Sequence, residues 1–452
     1  MSTCEKIGGV SVLHLINVRL PIMHDHALFE VKISDGMYTS IVLQNGYLED
    51  DDFIPLHAEI LGRETFLDVQ GRVLLPGFVD MHMHLDKAHS LPQVPNISGT
   101  LREAVENYSA SILSFPEEEL RQRMLKTALQ ALANGTTTIR THIDFNCSLD
   151  EDVLFRGIQA AVEVRDELSP YMDIQVVPLF SSINPNDDLV MKKIKRAIDM
   201  EIDAIGGCPH LAPNPKLEID TLFSLAKSYN KPLDLHVDES DDPNVDTIIY
   251  IAEKTLDYRM QRKVVVGHLC SLAGMDEGKV QKILTLIKKA EMGVVTLPAA
   301  NLYLQGRQDK GIVRRGVTRI REIQDAAIPI ATASDNVHDP FHPFGKADLL
   351  QIGLLTGYVA HMGSPSEQRQ LLRMITSIPA RLIGKMKYGV EEGNAANFVL
   401  LNVQSVEEIW TEIPETRFVF AKHRWVSVKE THQRLADNNL TALWQENQIL
   451  IG

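Results

Sequence analysis

The chain has 452 residues, of which 44% are hydrophobic, and a formal net charge of −15. This length accommodates a barrel domain of about 250 residues together with a second, smaller domain. The negative charge argues against nucleic acid or an anionic membrane as the main partner, since both require a basic surface. No apolar run approaches the roughly 18 residues of a membrane span, so we expect no membrane partner.

The cysteines and the amino terminus indicate a reducing compartment. Cys4, Cys147, Cys208 and Cys270 are scattered, and no two of them have C-x-x-C spacing. Residues 1–10 lack the apolar core of a secretory signal. We therefore predict a cytoplasmic protein.

Both ends of the chain have the pattern of short β-strands separated by turns that contain glycine. The segments with this pattern are Ser11–Leu15, Phe29–Ile33, Ser40–Gln44, Asn397–Leu401 and Phe418–Phe420. The simplest arrangement is one small β-sandwich domain built from both chain ends. We assign residues 1–75 and 387–452 to this domain.

Residues 76–386 alternate short apolar runs with helical patterns. In the clearest helical pattern, Glu117–Asn134, apolar residues recur at i, i+3, i+4 and i+7 from Leu125, and Gly135 follows as a helix-ending glycine. Eight strands alternating with helices predict an α/β fold, a (β/α)8 TIM-like barrel. An open doubly wound sheet is the alternative, but no G-x-G-x-x-G motif opens the first unit. The predicted strands are Phe78–Asp80, Thr136–Asp144, Asp173–Phe180, Asp203–Cys208, Pro232–Val237, Val264–Leu269, Gly293–Leu297 and Pro329–Ser334.

Polar side chains stand at the carboxyl ends of several of these strands, where a barrel of this kind carries its chemistry. His82 and His84 end the first strand, and residues at i and i+2 of a strand point to the same face. The other residues at strand ends are His142, Asp144, His236, Asp238, Glu239, His268 and Asp335. The recurrence of histidine at strand ends indicates a metal centre more strongly than any single motif does.

Four of these residues are predicted metal ligands: His82, His84, His236 and Asp335. Three imidazoles and one carboxylate suit one divalent metal ion, zinc or iron, and leave an open position for water. Such an ion lowers the pKa of water from about 15.7 toward about 7. His268 is then a candidate to orient or deprotonate the water, and Glu239 is a candidate to transfer a proton to the substrate.

Other interpretations compete at individual positions. His268 alone could equally be a buried core histidine, and His142 either supports the ligands or is only a polar strand end. Asp86 and Lys87 are interpreted as a local surface ion pair, which contributes little. The sequence contains no H-E-x-x-H, G-x-S-x-G or Walker motif. Cys208-Pro209-His210 lacks the second cysteine of the small zinc deaminases.

The order of these residues resembles that of the amidohydrolase superfamily. More narrowly, it resembles bacterial cytosine deaminase and its relatives, such as N-isopropylammelide hydrolase and isocytosine deaminase. An H-x-H pair is followed by a strand-five histidine with a nearby glutamate, a strand-six histidine and a strand-eight aspartate. The resemblance covers nearly the whole chain. Its specific stretches are Pro76–Asp86, Arg140–Asp144, Leu235–Glu239, Gly267–His268, Asn301–Arg307, Arg315–Arg319, Ser334–Pro340 and Gly393–Asn397.

The resemblance implies a metal-dependent deaminase with a mononuclear iron or zinc site and no bridging carboxylated lysine. It implies that Glu239 protonates a ring nitrogen, that His268 orients a metal-bound hydroxide and that Asp335 accepts its proton. Attack of the hydroxide on an amidine-like carbon then releases ammonia from a small nitrogen heterocycle. Relatives commonly form oligomers, so we expect a homo-oligomer.

The sequence departs from cytosine deaminases where the substrate is held. A glutamine after strand three, an aspartate after the strand-eight ligand and a nearby tryptophan are replaced here by Ser181 (or Ser182), Asn336 and Phe341. A site built to hydrogen-bond one ring rejects another, so the reaction type carries over better than the substrate. Isocytosine, creatinine, triazine and pterin-like rings remain open. The predicted substrate-binding residues are Ser181, Asn301, Gln305, Asn336 and Phe341.

Two other hypotheses stand beside the deaminase. The first is that the same scaffold hydrolyses a ring amide or an N-alkylamino bond. Such a reaction differs from deamination only in the leaving group. A non-catalytic oligomeric scaffold is the third hypothesis. Scaffolds of that kind usually lose metal ligands, and this chain keeps the full predicted set.

Overall fold

The computed structural model describes residues 12–24, 26–60, 62, 65–311, 313–431 and 435–448. Residues 1–11 are outside the described part of the chain. They include Cys4, the segment tested for a secretory signal, and Ser11, the first residue of a predicted strand. The described chain forms two sheets, one of eight strands and one of nine. No helix in this part of the chain has the length and apolarity that crossing a bilayer requires.

The nine-stranded sheet takes its strands from both ends of the chain, as predicted. Its strands are β1 (Val12–Arg19), β2 (Leu28–Ser34), β3 (Met37–Leu43), β4 (Ile54–Pro55), β5 (Phe66–Asp68), β6 (Val73–Pro76), β15 (Phe398–Leu401), β16 (Arg417–Ala421) and β17 (Arg424–Lys429). They run in the order β17-β16-β15-β6-β1-β2-β3, with β5 paired to β1 and β4 to β5. The two chain ends meet where β6 pairs antiparallel with β15, with Val73 opposite Leu401. The sheet has its own apolar core, which includes Leu15, Phe398 and Phe420.

The eight-stranded sheet is the predicted barrel. Its strands are β7 (Phe78–Met83), β8 (Thr136–Asn146), β9 (Asp173–Ser181), β10 (Ile205–Gly207), β11 (Leu233–Val237), β12 (Val264–His268), β13 (Gly293–Thr296) and β14 (Ile330–Thr332). They lie in chain order, each parallel to the next. Valine-rich runs such as Val264–Val266 suit strands that are buried on both faces. A parallel bridge between Met83 and Asp335 brings the first strand to the end of the last.

Helices connect the barrel strands and extend into the carboxyl-terminal region. They are α1 (Leu101–Ser111), α2 (Glu117–Ala133), α3 (Glu151–Leu154), α4 (Arg156–Leu168), α5 (Asp188–Ile198), α6 (Pro215–Ser228), α7 (Thr247–Asp257), α8 (Glu277–Lys289), α9 (Pro298–Leu304), α10 (Ile320–Asp325), α11 (Leu349–Val359), α12 (Pro365–Met374), α13 (Ser377–Leu382), α14 (Val406–Glu412) and α15 (Asn438–Gln448). Short 3-10 helices lie at Ala58–Ile60, Pro209–Leu211 and Cys270–Gly274.

Helix α2 confirms the helix predicted over Glu117–Asn134, although its buried face differs. Its first turn is acidic, which favours the positive end of the helix dipole, and Gly135 follows its end with φ +99°. The predicted apolar stripe includes Leu129, which is 46% exposed. Ala128 and Leu132 of the predicted stripe are buried, but the buried face continues through Met124 and Ala131 rather than through Leu129, so it is rotated from its predicted position.

The predicted domain limits fall between the two sheets. Strand β6 of the nine-stranded sheet ends at Pro76, and the first barrel strand begins at Phe78. On the other side, β15 begins at Phe398, and the region from residue 387 also holds the helices α14 and α15. The limits at 75/76 and 386/387 stay predictions, because adjacency of strands does not show which segments fold together.

Candidate active site

Two histidines at the carboxyl end of β7, His82 within the strand and His84 directly after its last residue, converge with a third from β11. His82 and His84 lie two residues apart, so their side chains leave the strand on the same side. The Nε2 atom of His236 is 3.0 Å from Nε2 of His82 and 3.0 Å from Nε2 of His84. All three side chains are buried. Three imidazole nitrogens thus point toward one position at the carboxyl rim of the barrel.

Asp335 supplies the fourth group of this cluster. Its Oδ1 atom lies 3.6 Å from Nε2 of His82 and 3.3 Å from Nε2 of His84. Its backbone N–H donates to the carbonyl of His82 at 2.8 Å, and its carbonyl accepts from the N–H of His84 at 3.3 Å. Asp335 has φ 60°, a left-handed conformation that costs a non-glycine residue roughly 1 kcal/mol. The backbone bonds that join the first and last strands therefore also fix this carboxylate beside the histidines.

The chemistry of the cluster fits one divalent metal ion. The ligand atoms of His82, His84, His236 and Asp335 all lie within 4.8 Å of one another. Among the described residues, Asp335 Oδ1 is buried and accepts no hydrogen bond. Burial, assisted by the neighbouring basic groups, lowers the pKa of each histidine well below its ordinary value, so the rings are neutral. Neutral imidazoles and a carboxylate are ligands for zinc and iron.

His82 also packs against His142, which lies beside Asp234. The His142 ring lies against the His82 ring, with centroids 4.1 Å apart and an angle of 33° between the planes. Asp234 Oδ1 is 3.2 Å from Nε2 of His142, and Asp234 Oδ2 accepts from Arg140 at 2.7 Å. Gly267 lies so close to His82 that a Cβ there would be 3.1 Å from its Cε1 atom. These contacts favour the first of the two interpretations of His142, a residue that supports the ligands, and this role stays a prediction.

Glu239 and His268 lie together beside the ligand cluster. The Asn301 amide donates to Nδ1 of His268 at 3.1 Å and to Oε1 of Glu239 at 3.4 Å. With Nδ1 accepting, the neutral His268 ring carries its proton on Nε2. Burial raises the pKa of Glu239 to about 8, and the neighbouring Gln305 amide partly offsets this. At neutral pH, Glu239 is therefore mostly a protonated carboxyl that can act as a general acid.

A cavity of about 290 Å³ opens onto this cluster. Three of the predicted substrate-binding residues, Ser181, Asn336 and Phe341, line it together with Glu239, His268 and Asp335. The other two, Asn301 and Gln305, lie behind Glu239 and are not among the lining residues. The structure brings the predicted metal ligands and the predicted proton-transfer residues to one cavity. The roles of all these residues stay predictions.

Lys87 is a cavity residue whose environment the sequence interpretation missed. Its side chain is buried, with Nζ 2.7 Å from Asp144 Oδ1 and 3.6 Å from Asp86 Oδ2. Nζ also lies over the rings of Tyr108 and Phe341. Burial opposes the charge, but the two carboxylates outweigh it and raise the pKa of Lys87. The predicted ion pair with Asp86 is present, but it is buried and not at the surface, and Lys87 presents its positive charge to the cavity.

Glu218 is a second cavity residue that sequence reasoning did not single out. It lies in the first turn of α6 and is 7% exposed. Its carboxyl oxygens have no hydrogen-bond partner among the described residues, and burial raises its pKa to about 7. It lines the cavity with Ser181 and Cys208, across from the metal ligands. The only sequence signal was its place in the helix start that follows Asn214-Pro215, which does not reveal burial.

The barrel and the ligand cluster define a class of enzymes that hold a divalent ion at the carboxyl rim of a (β/α)8 barrel. The sequence matches the model of the amidohydrolase family over residues 73–429. The chain therefore belongs to the amidohydrolase family, as the resemblance of its motifs predicts.

Individual relatives are similar over most of their length. A pterin deaminase from Rhizobium rhizogenes is 31% identical over 358 residues, which make up 78% of this chain and 80% of that protein. N-isopropylammelide isopropyl amidohydrolase from Pseudomonas sp. strain ADP is 26% identical over 411 residues, or 86% of this chain and 97% of that protein. The crystal structure of 5-methylcytosine deaminase from Klebsiella pneumoniae, liganded with 5-fluorocytosine, superposes with a TM-score of 0.85 at 27% identity. The superposition covers 94% of this chain and 100% of the Klebsiella chain.

These relatives are deaminases and amidohydrolases, so the chain is a hydrolase acting on carbon–nitrogen bonds other than peptide bonds. The predicted family, fold class and enzyme class are confirmed. The non-catalytic scaffold is set aside accordingly.

Proposed function

We propose that this protein is a metal-dependent hydrolytic deaminase of a small nitrogen heterocycle, a cytosine-like ring or another cyclic amidine. The observation that carries the proposal is the position of Glu239. Its protonated carboxyl lines the same cavity as the predicted ligands His84, His236 and Asp335. A general acid beside a metal centre is what the removal of an amino group from a ring requires, since a ring nitrogen must gain a proton as water attacks.

The four clustered residues would hold the ion, with zinc and iron both suited to the donor set. When bound, a divalent ion supplies Lewis-acid chemistry that lowers the pKa of water and makes it a nucleophile near neutral pH. Burial and the nearby Glu239 raise the pKa of Asp335 well above its ordinary value, and a cation held beside this carboxyl would lower it again. Asp335 is then ionised and can accept a proton.

The residues of the cavity account for each proton in the reaction. Asp335 takes a proton from the attacking water, and Glu239 gives its proton to the ring nitrogen next to the reacting carbon. The Nε2–H of His268 donates to the water oxygen and orients it. Asp335 then returns its proton to the amino group, which leaves as ammonia, and Glu239 is reprotonated by the new hydroxyl as the carbonyl forms.

We further propose that a pterin-type or isocytosine-type ring, with an amino group next to ring nitrogens, is the first substrate to test. The pterin deaminase relative is 31% identical over four-fifths of its length. The cavity, at about 290 Å³, is at the lower end of the size of small-molecule sites, which suits a substrate of one or two rings. Lys87 and Glu218 both line this cavity, and we propose that Lys87 donates to a ring carbonyl and that Glu218 contacts the far edge of a two-ring substrate.

Hydrolysis of an N-alkylamino bond is the second candidate function. It is favoured by the similarity to N-isopropylammelide isopropyl amidohydrolase, which this chain matches over 97% of that protein. Apolar side chains of Leu101, Val105 and Phe145 line the cavity and could accommodate an alkyl group. The two reactions share every proton transfer and differ in whether ammonia or an alkylamine leaves.

The test is product release by the metal-reconstituted protein from cytosine, isocytosine, creatinine, pterin, an aminotriazine and N-isopropylammelide. Ammonia from one of the first five supports the deaminase, and isopropylamine supports the second candidate. His236→Ala should lose both metal and activity. Glu239→Gln should keep the metal and lose about 100- to 10,000-fold in rate. The exposed Glu253→Gln, on α7, is the matched control and should change neither. Wild-type turnover by Glu239→Gln would contradict the proposal.

The association and location of the protein are also predictions. We expect a homo-oligomer, which light scattering of the purified protein would measure, and a cytoplasmic location, which cell fractionation would measure.

A further inference from the structure

A second cavity, larger than the one described above, lies at the opposite end of the barrel. Its volume is about 880 Å³. It is lined by residues just before or at the starts of four neighbouring barrel strands: Pro232, Val264, Gly293 and Pro329. Helix α13 and the residues after it complete the wall, with Leu382 and Ile383. The volume is within the range of small-molecule sites, about 300–1,000 Å³.

The charge of this cavity is opposite to that of the chain. Five lining residues are cationic, namely Arg140, Arg262, Lys263, Lys288 and Arg381, whereas Glu291 is the one acidic lining residue. The chain as a whole has a net charge of −15. A concave surface that concentrates one sign of charge attracts ligands of the opposite sign.

Of the exposed cations, Arg262 and Lys263 have partners, whereas Lys288 and Arg381 have none among the described residues. Arg262 pairs with Glu291, and Lys263 donates to Asn230 Oδ1 at 3.2 Å. Lys288 and Arg381 make neither an ion pair nor a side-chain hydrogen bond with any described residue. Both side chains are exposed at the cavity.

Arg140 brings a buried guanidinium to the inner wall of the same cavity. It is 2% exposed, with Nε donating to Gln175 at 2.8 Å and Nη1 to Asp234 at 2.7 Å. Within the described chain, its Nη2 atom has no hydrogen-bond acceptor. A guanidinium held on two sides leaves its third nitrogen for a ligand, and guanidinium groups bind carboxylates and phosphates well.

We propose that this cavity binds a small organic anion, an apolar body that carries one carboxylate, phosphate or sulfonate group. The anionic group is held by the unpaired cations Lys288 and Arg381 and by Arg140. The apolar body packs against Val265, Ile328 and the residues of α13 that line the cavity. The site is separate from the metal ligands, so its existence does not depend on which ring the enzyme deaminates.

The probe for this site is 8-anilinonaphthalene-1-sulfonate, an aromatic body with one sulfonate, whose fluorescence rises on binding. The metal-loaded protein should bind it with one-to-one stoichiometry. N-phenyl-1-naphthylamine has the same aromatic body without the charge, and it should bind at least about tenfold more weakly if the cations contribute as expected for close charges. Sodium phenyl phosphate should compete, and inorganic phosphate should compete less well because it lacks the apolar body.

Two neighbouring lysines of α8 make a matched pair of variants. Lys288 lines the cavity, whereas Lys289, equally exposed, does not. Lys288→Glu should weaken probe binding about tenfold, and Arg381→Glu should do the same, whereas Lys289→Glu should leave it unchanged. Circular dichroism and thermal unfolding of the three variants establish that each one folds.

Equal binding of the probe by Lys288→Glu, Arg381→Glu and wild type would overturn the proposal. Equal affinity for the neutral naphthylamine would also overturn it, because the site would then be apolar only. His236→Ala should lose metal and activity yet bind the probe normally. Failure of the proposed deaminase function and failure of the proposed anion site can therefore be distinguished by experiment.

Discussion

Replacing Gly267 by alanine tests whether the predicted metal ligand His82 is held in place by close packing. The added Cβ would lie 3.1 Å from His82 Cε1 and 3.3 Å from its Nδ1 atom. An optimal contact between such atoms is about 3.5–4.0 Å. The His82 ring cannot simply retreat, because the His142 ring lies against it with centroids 4.1 Å apart. The backbone of Gly267 is outside the left-handed region, so the methyl group acts through this contact.

The expected size of the effect follows from the geometry. Overpacking a well-packed interior by one methyl group costs about 1–3 kcal/mol. If the methyl group disfavours only the metal-bound position of the His82 ring, a cost of about 2 kcal/mol weakens metal binding about thirtyfold. This follows because about 1.4 kcal/mol corresponds to a tenfold change in affinity. If the His82 ring occupies the same position without metal, the metal affinity stays unchanged. The free energy of unfolding of the metal-free protein then falls by the same amount.

The assay is zinc affinity by competition with a chromogenic chelator, together with urea unfolding of the metal-free protein. Gly363→Ala is the control, because a Cβ at Gly363 meets nothing within 4 Å and its backbone is also outside the left-handed region. It should change neither quantity by more than about 0.5 kcal/mol. Wild-type zinc affinity and wild-type stability in Gly267→Ala would refute the idea that this contact positions His82.

Three further predictions concern proton transfer and the substrate cavity. The value of kcat/KM should fall as pH rises through about 8. Burial raises the pKa of Glu239 to about 8, so above this pH Glu239 loses the proton that it donates. A flat profile from neutral pH to pH 10 would contradict this role. Gln305→Leu should move this alkaline limb to higher pH, since the neighbouring Gln305 amide lowers the pKa of Glu239. An unmoved limb would show that Gln305 does not act on Glu239 in the working enzyme. Glu218→Gln should change the ratio of kcat/KM between one-ring and two-ring substrates at unchanged metal content, and an equal loss on every substrate would argue against a place at the far edge of the ring.

The barrel could be predicted because its signal is local. Strands such as Val264–His268 are short β-branched runs between helical patterns, and parallel strands leave few other arrangements. The buried face of α2 was predicted less well. Leu129 fits the apolar stripe by spacing but is 46% exposed, because packing of the helix on its neighbours decides which side turns inward. Periodicity therefore establishes the helix better than its rotation.

The same distinction separates the site residues. His82, His236 and Asp335 were found because topology brings the carboxyl ends of all barrel strands to one rim, whatever the loops do. Lys87 and Glu218 were missed because they lie after the strands, where chain direction and burial depend on packing that the sequence does not display. These positions line the proposed substrate cavity and are not among the predicted metal ligands, which is why reaction class is easier to predict than substrate.

The ligand cluster also lies at the seam of the barrel, and this links its chemistry to the fold. In the described chain, β7 and β14 meet through the bridge of Met83 and Asp335 instead of a long ladder. An ion shared by His82, His84, His236 and Asp335 would tie the first, fifth and eighth strands together at this weakly paired edge. Because an ion that binds only the folded state adds to its stability, the metal would stabilise the closure that positions its own ligands. The same four residues would then serve both the proposed reaction and the closure of the barrel.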